Sequence, residues 1–146
     1  MLKIITFREP GSEVLFRPAR KITDFDQELR GLAKNMEDAL IYHDGLGLAA
    51  PQVGRPIAFC VIREGKKIYY FCNPKITQSS DEQEKMEEGC LSFPNIFLDI
   101  TRPKIVGVSY QDLNGASKKI KATGILARTL QHEIDHLNGI SFIERA

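Results

Sequence analysis

Cysteine is scarce in this chain of 146 residues, long apolar runs are missing, and neither sign of charge is in excess. The three cysteines, Cys60, Cys72 and Cys90, are an odd number with no C-x-x-C spacing, which argues against a disulfide framework and fits a reducing compartment. A thiol then stays available as a metal ligand. No apolar stretch approaches the roughly 18 residues of a membrane span. The first residues are interrupted by Pro10 and Gly11 and carry Glu9 and Glu13, unlike a secretory h-region or an Arg-rich transit sequence. The expectation is a soluble, cytoplasmic protein without a membrane partner. Lys and Arg total 20 against 19 Asp and Glu, a net charge of +1, and the only acidic concentration is the short stretch from Asp81 to Glu88. Nothing in that balance calls for nucleic acid as a partner. Repeats, low-complexity tracts and Gly/Ser linkers are also lacking, so a single domain over residues 1–146 is expected. With 42% apolar residues it has enough material for a core without staples.

The chain does carry clear periodicity. From about Phe25 to Tyr42, Phe25, Leu29, Leu32, Ala33, Met36, Ala39 and Leu40 recur at helical spacing behind a cap at Thr23 or Asp24, and Gly45 is near enough to end the helix. From Ile57 the signal changes to short β-rich runs, IAFCVI and KIYYFC, separated by the polar turn Arg63–Lys66. Lys104–Tyr110 and Lys118–Lys121 read as further strands, with a turn at DLNG. A second helix is expected over Gly124–Leu137, ending at Asn138 and Gly139. A helix, several strands and a last helix make an α+β fold, antiparallel sheet packed around a central helix.

That last helix contains His132, Glu133, Ile134, Asp135 and His136, an HExxH pattern. Residues four apart lie nearly above one another on a helix, so both imidazoles can face one ion. Glu133 falls within the same arc, where a carboxylate can act as general base without taking a ligand position. Chance alone would produce such a pattern in on the order of one comparable sequence in a few hundred, so the motif needs support. An open catalytic site needs a third protein ligand. Downstream of His136 the sole acid is Glu144 and there is no His. Upstream, Cys90 follows Gly89 in EEGCLS, although a cysteine is equally at home in a core. The Gly-rich segment from Gly45 to Gln52 lacks the Lys and Ser/Thr of a phosphate loop. Asp135 is a carboxylate near His136 that could orient an imidazole or face solvent. His43, Cys60 and Cys72 have no partner motif and read as ordinary structural residues.

Three segments in order, GLGLAAPQ at Gly45–Gln52, EGCLS at Glu88–Ser92 and QHEIDH at Gln131–His136, closely resemble the motifs of the peptide deformylase family. VLFRPARKI near the start, CNPKI at Cys72–Ile76 and Arg102 extend the likeness over nearly the whole chain. The resemblance implies a hydrolase that removes the N-formyl group from formyl-methionine of nascent polypeptides. It implies Cys90, His132 and His136 as ligands of one divalent metal, Fe2+ in the cell and Zn2+, Ni2+ or Co2+ in a preparation. Glu133 would be general base and acid, Gln52 and the Leu91 N–H would stabilise the oxyanion, and Gly45 would offer its backbone to the peptide. Glu88 and Arg102 would support the Cys segment. A monomer is expected, and the chain stops soon after FIERA, before the long C-terminal helix linked to ribosome docking in many bacterial members, which argues against ribosome association by that route.

Overall fold

In the computed structural model, which describes residues Met1–Ala146, the chain runs through α1 (Gln27–Tyr42), β1 (Gly47–Ala49), β2 (Phe59–Glu64), β3 (Lys67–Ser79), β4 (Gln83–Cys90), β5 (Phe93–Pro103), β6 (Val106–Gln111), β7 (Ser117–Ala122) and α2 (Gly124–Leu137), with 3-10 turns at Ser12–Phe16, Ala50–Val53 and Phe142–Arg145. A five-stranded antiparallel sheet has the order β1-β2-β3-β6-β7, and β4 and β5 form a separate two-stranded sheet.

The β2–β3 hairpin forms where the sequence predicts it, with Glu64 opposite Lys67 and Gly65 in the left-handed region at φ 61°. Alternation along these strands decides what packs on each face. Phe59, Val61 and Cys72 face Leu29, Leu32, Met36 and Leu40 of α1, whereas Cys60, Ile62 and Phe71 face Leu126, Leu130 and Ile134 of α2. The expected structural role of Cys60 and Cys72 holds, since both are fully buried free thiols.

Two helix boundaries differ from the sequence reading. The cap of α1 is Asp26, whose carboxylate accepts from the Leu29 N–H at 3.0 Å, rather than Thr23 or Asp24. Phe25 lies outside the helix and packs against the core, so its apolar character mimicked an extra turn. At the other end the left-handed residue is Asp44, φ 52°, and Gly45 is needed for proximity instead: a Cβ there would lie 2.9 Å from Leu40 and 3.1 Å from Leu91.

The whole of α2 from Leu126 to Leu137 is buried. One stripe, Leu126, Ala127, Leu130, Ile134 and Leu137, is apolar and lies on the five-stranded sheet. The opposite stripe, Arg128, His132 and Asp135, is polar and reaches the β4–β5 sheet. A polar stripe can be buried only when its groups are paired, and the partners come from β4 and β5.

Candidate metal centre

Cys90 reaches α2 because the β4–β5 pairing is irregular at that point. Gly89 stands opposite Phe97, but Cys90 stands opposite Phe93, a register shift that turns the strand end. A Cβ at Gly89 would lie 2.7 Å from the Phe97 ring, so the close approach there needs glycine. The Cys90 Sγ then sits 3.2 Å from His136 Nε2, and the thiol and the two imidazoles offer ligand atoms all within 4.8 Å of one another. The structure thus adds Cys90, which sequence spacing alone left apart, to the two imidazoles that helical spacing had already placed together.

The other predicted residues surround them. Gln52 is buried in the Ala50–Val53 turn; its Oε1 accepts from the Ala49 N–H at 2.9 Å, and its Nε2 donates to Ser92 Oγ at 3.0 Å and lies 3.6 Å from Cys90 Sγ. A cavity of about 470 Å³ opens beside the group, lined by Gly45, Leu46, Gly47, Glu88, Cys90, Leu91, His132 and Glu133 among others. His43 caps the C-terminal end of α1 and takes no part. Glu144, the one downstream acid, accepts from the Ser141 N–H at 2.8 Å in its own turn, so an endopeptidase-type downstream ligand is not available.

A buried ion network holds the site from behind. Glu88 receives Arg102 Nε at 2.6 Å and Nη2 at 3.0 Å, Arg128 Nη1 at 2.7 Å, and faces His132 Nδ1 at 2.9 Å. Burial alone would raise the Glu88 pKa, but His132, Arg102 and Arg128 more than offset it and hold the carboxyl well below the usual range. An ionised Glu88 has no proton to give, so Nδ1 of His132 is the donor and Nε2 is left for the cluster. Asp135, which the sequence left open as an orienting group for an imidazole or a solvent-facing residue, is neither: it is buried and pairs with Arg102 at 2.9 Å and with Arg145 at 2.9 and 3.1 Å. Glu88 is the orienting carboxylate. Arg128 was missed by the sequence reading, although its position four residues before His132 on one helix was a usable signal.

The charges converge as a cation site requires. Burial disfavours the His132 imidazolium, yet Cys90 and Glu88 outweigh it and push its pKa up to about 10; His136, also desolvated and beside His132, is pushed well down. Burial lifts Glu133 to about 7, with only partial relief from His132. Oε1 of Glu133 and Nδ1 of His136 are buried without a protein partner. One soft sulfur, two imidazole nitrogens and surrounding anions fit a divalent transition metal, which would replace the proton that His132 otherwise attracts.

Gly47 sets where the Glu133 carboxylate can be. A Cβ at Gly47 would lie 2.6 Å from Glu133 Oε2 and 2.7 Å from Thr129 Cγ2. Gly47→Ala should therefore displace Glu133 and lower kcat by roughly 10²-fold with little change in metal content. Steady-state kinetics beside metal analysis would check this, and a near wild-type kcat would contradict it.

Comparison with known proteins agrees along the full length. The model of the polypeptide deformylase family matches residues 1–146. A peptide deformylase of Natranaerobius thermophilus is 48% identical over 148 aligned residues, covering 99% of this chain and 94% of that protein. One from Microchaete diplosiphon is 44% identical over 140 residues, covering 92% of this chain and 75% of the relative. Among solved structures, the peptide deformylase from Thermotoga maritima superimposes with a TM-score of 0.95 at 41% identity, covering 99% of this chain and 97% of that one. The enzyme from Synechococcus elongatus, solved in complex with actinonin, gives 0.94 at 41% identity, with 99% and 78% covered.

Proposed function

The chain belongs to the polypeptide deformylase family, and from that premise we propose that it hydrolyses the N-formyl group of formyl-methionyl nascent polypeptides, with Cys90, His132 and His136 as metal ligands. The reading is carried by the convergence of one thiol and two imidazoles within 4.8 Å beside a buried carboxylate, that of Glu133, with an unpartnered oxygen. The family is metal-dependent, and a sulfur with two nitrogens suits Fe2+ in the cell and Zn2+, Ni2+ or Co2+ in a preparation. Held there, a divalent ion supplies Lewis acidity, which makes water nucleophilic at neutral pH and polarises a carbonyl.

The chain's own residues then account for the proton and charge movements. Glu133 takes a proton from water as its oxygen attacks the formyl carbon. The oxyanion that develops meets the Gln52 amide, held in place by Ala49 and Ser92, and the N–H of Leu91. Glu133 returns the proton to the departing nitrogen, the C–N bond breaks, and formate and a free amino terminus result. β1 is the outer strand of its sheet, and Gly45, Leu46 and Gly47 line the cavity, so an extended peptide has a strand edge to lie along. Gly45 is the backbone contact assigned to the peptide.

Metal-loaded protein incubated with a formyl-Met peptide is expected to release formate in step with new amine. No turnover with Fe2+, Ni2+ or Co2+ bound would refute the assignment, and cleavage of an internal peptide bond instead would favour an endopeptidase.

A further inference from the structure

The turn Phe142–Arg145 follows α2 and folds back against the rear of the site. Ile140 N–H donates to the Asp135 carbonyl at 2.8 Å, and the Ser141–Glu144 bond closes the turn. The Phe142 ring is fully buried, 5.6 Å from the His132 ring and 5.7 Å from Phe93. Arg145 grips both oxygens of Asp135, although its own side chain is 46% exposed. Asp135 in turn binds Arg102, Arg102 binds Glu88 with two nitrogens, and Glu88 orients His132. Every step between Arg145 and the imidazole is a charge-assisted hydrogen bond of 3.1 Å or less, and every member except Arg145 is buried. A half-exposed arginine pair contributes little to folding by itself. Connected to a buried network, it restricts the rotamer of Asp135 and hence the plane of Arg102.

We propose that Arg145 is a positioning residue for the metal centre, acting through Asp135, Arg102 and Glu88 on the imidazole of His132, with the Phe142 ring bracing that imidazole. The C-terminal turn is thus part of the apparatus that retains the ion. This rests on the reading of Cys90, His132 and His136 as ligands.

The test uses cobalt(II) as the probe, added to metal-free protein and followed by its visible d–d spectrum and by competition with a chelator. Arg145→Ala is expected to bind cobalt roughly 10- to 100-fold more weakly than wild type, with an altered spectrum. Arg145→Lys should recover part of the affinity, because one charge-assisted bond to Asp135 survives. Lys104→Ala, which removes an exposed pair with Glu82 that shares no residue with this chain of contacts, should leave binding unchanged. Thermal unfolding of the metal-free Arg145→Ala protein should stay within about 3 °C of wild type. Cobalt affinity and spectrum unchanged in Arg145→Ala would overturn the proposal, as would an equal loss in Lys104→Ala. A wild-type protein that takes up no cobalt would instead overturn the assignment of the ligands, and with it this inference.

Discussion

Replacing Glu133 by glutamine should lower kcat for formate release by roughly 10²- to 10⁴-fold while the protein keeps its metal. The amide has nearly the volume of the carboxylate and cannot accept a proton from water, so the loss isolates the acid–base role. Metal content should hold because the ligand atoms proposed for the ion come from Cys90, His132 and His136 and not from Glu133. Stability should be unchanged or higher. Glu133 is 3% exposed, burial pushes its carboxyl up to about 7, and one of its oxygens lacks a partner, so as an anion it opposes folding. A neutral side chain removes that opposition, and the wild type then retains a destabilising group for its chemistry. Formate kinetics, metal analysis and thermal unfolding on one preparation would decide. Activity within about fivefold of wild type would remove Glu133 from the mechanism, and loss of the metal would make it a ligand.

Arg102→Met should be the most destabilising of the substitutions considered, by about 3 kcal/mol, toward the lower end of what removing one partner from a buried pair costs. Arg102 is 4% exposed and serves two carboxylates, Glu88 and Asp135. The cost stays near the lower end because Glu88 keeps Arg128 and Asp135 keeps Arg145. For a chain of this size that corresponds to a fall in Tm of roughly 6–12 °C. Arg102→Lys should recover only a fraction, since an ammonium cannot address both oxygens of Glu88 and reach Asp135 in the same plane. Urea unfolding of metal-free protein measures the effect without contribution from ion binding. A change below about 1 kcal/mol would mean that neighbouring arginines or water take over both carboxylates.

The legible elements are those whose side chains separate cleanly into apolar and polar sets. β2, β3 and β6 show β-rich runs because their residues fill the core beside α1 and α2, and Gly124–Leu137 is a helix with the bounds that its periodicity predicts. The β4–β5 hairpin was invisible. In Gln83–Cys90 the residues alternate in exposure, but the buried member is Glu88 and the partly buried ones are Met86 and Cys90, so hydrophobicity carries no period-2 signal. The segment read as a short acidic stretch because its inward side pairs with arginines of β5 and α2 rather than with apolar groups.

The site divides in the same manner. Helix geometry places His132, Glu133 and His136 within one arc, and the family motifs name Cys90, Gln52 and Gly45, all of which the fold gathers around one cavity or its edge. Residue type and local spacing are enough for that, because an HExxH helix needs only its own 3.6-residue period to aim two imidazoles the same way. Partner choice is a different matter. That Glu88 orients His132 while Asp135 turns to Arg102 and Arg145, and that Gly47 makes room for the Glu133 carboxylate, depend on β4, β5, β1 and the terminal turn all coming to lie against α2. Those contacts join residues distant along the chain, and their energies come from burial and pairing that exist only once both sheets have closed on the helix.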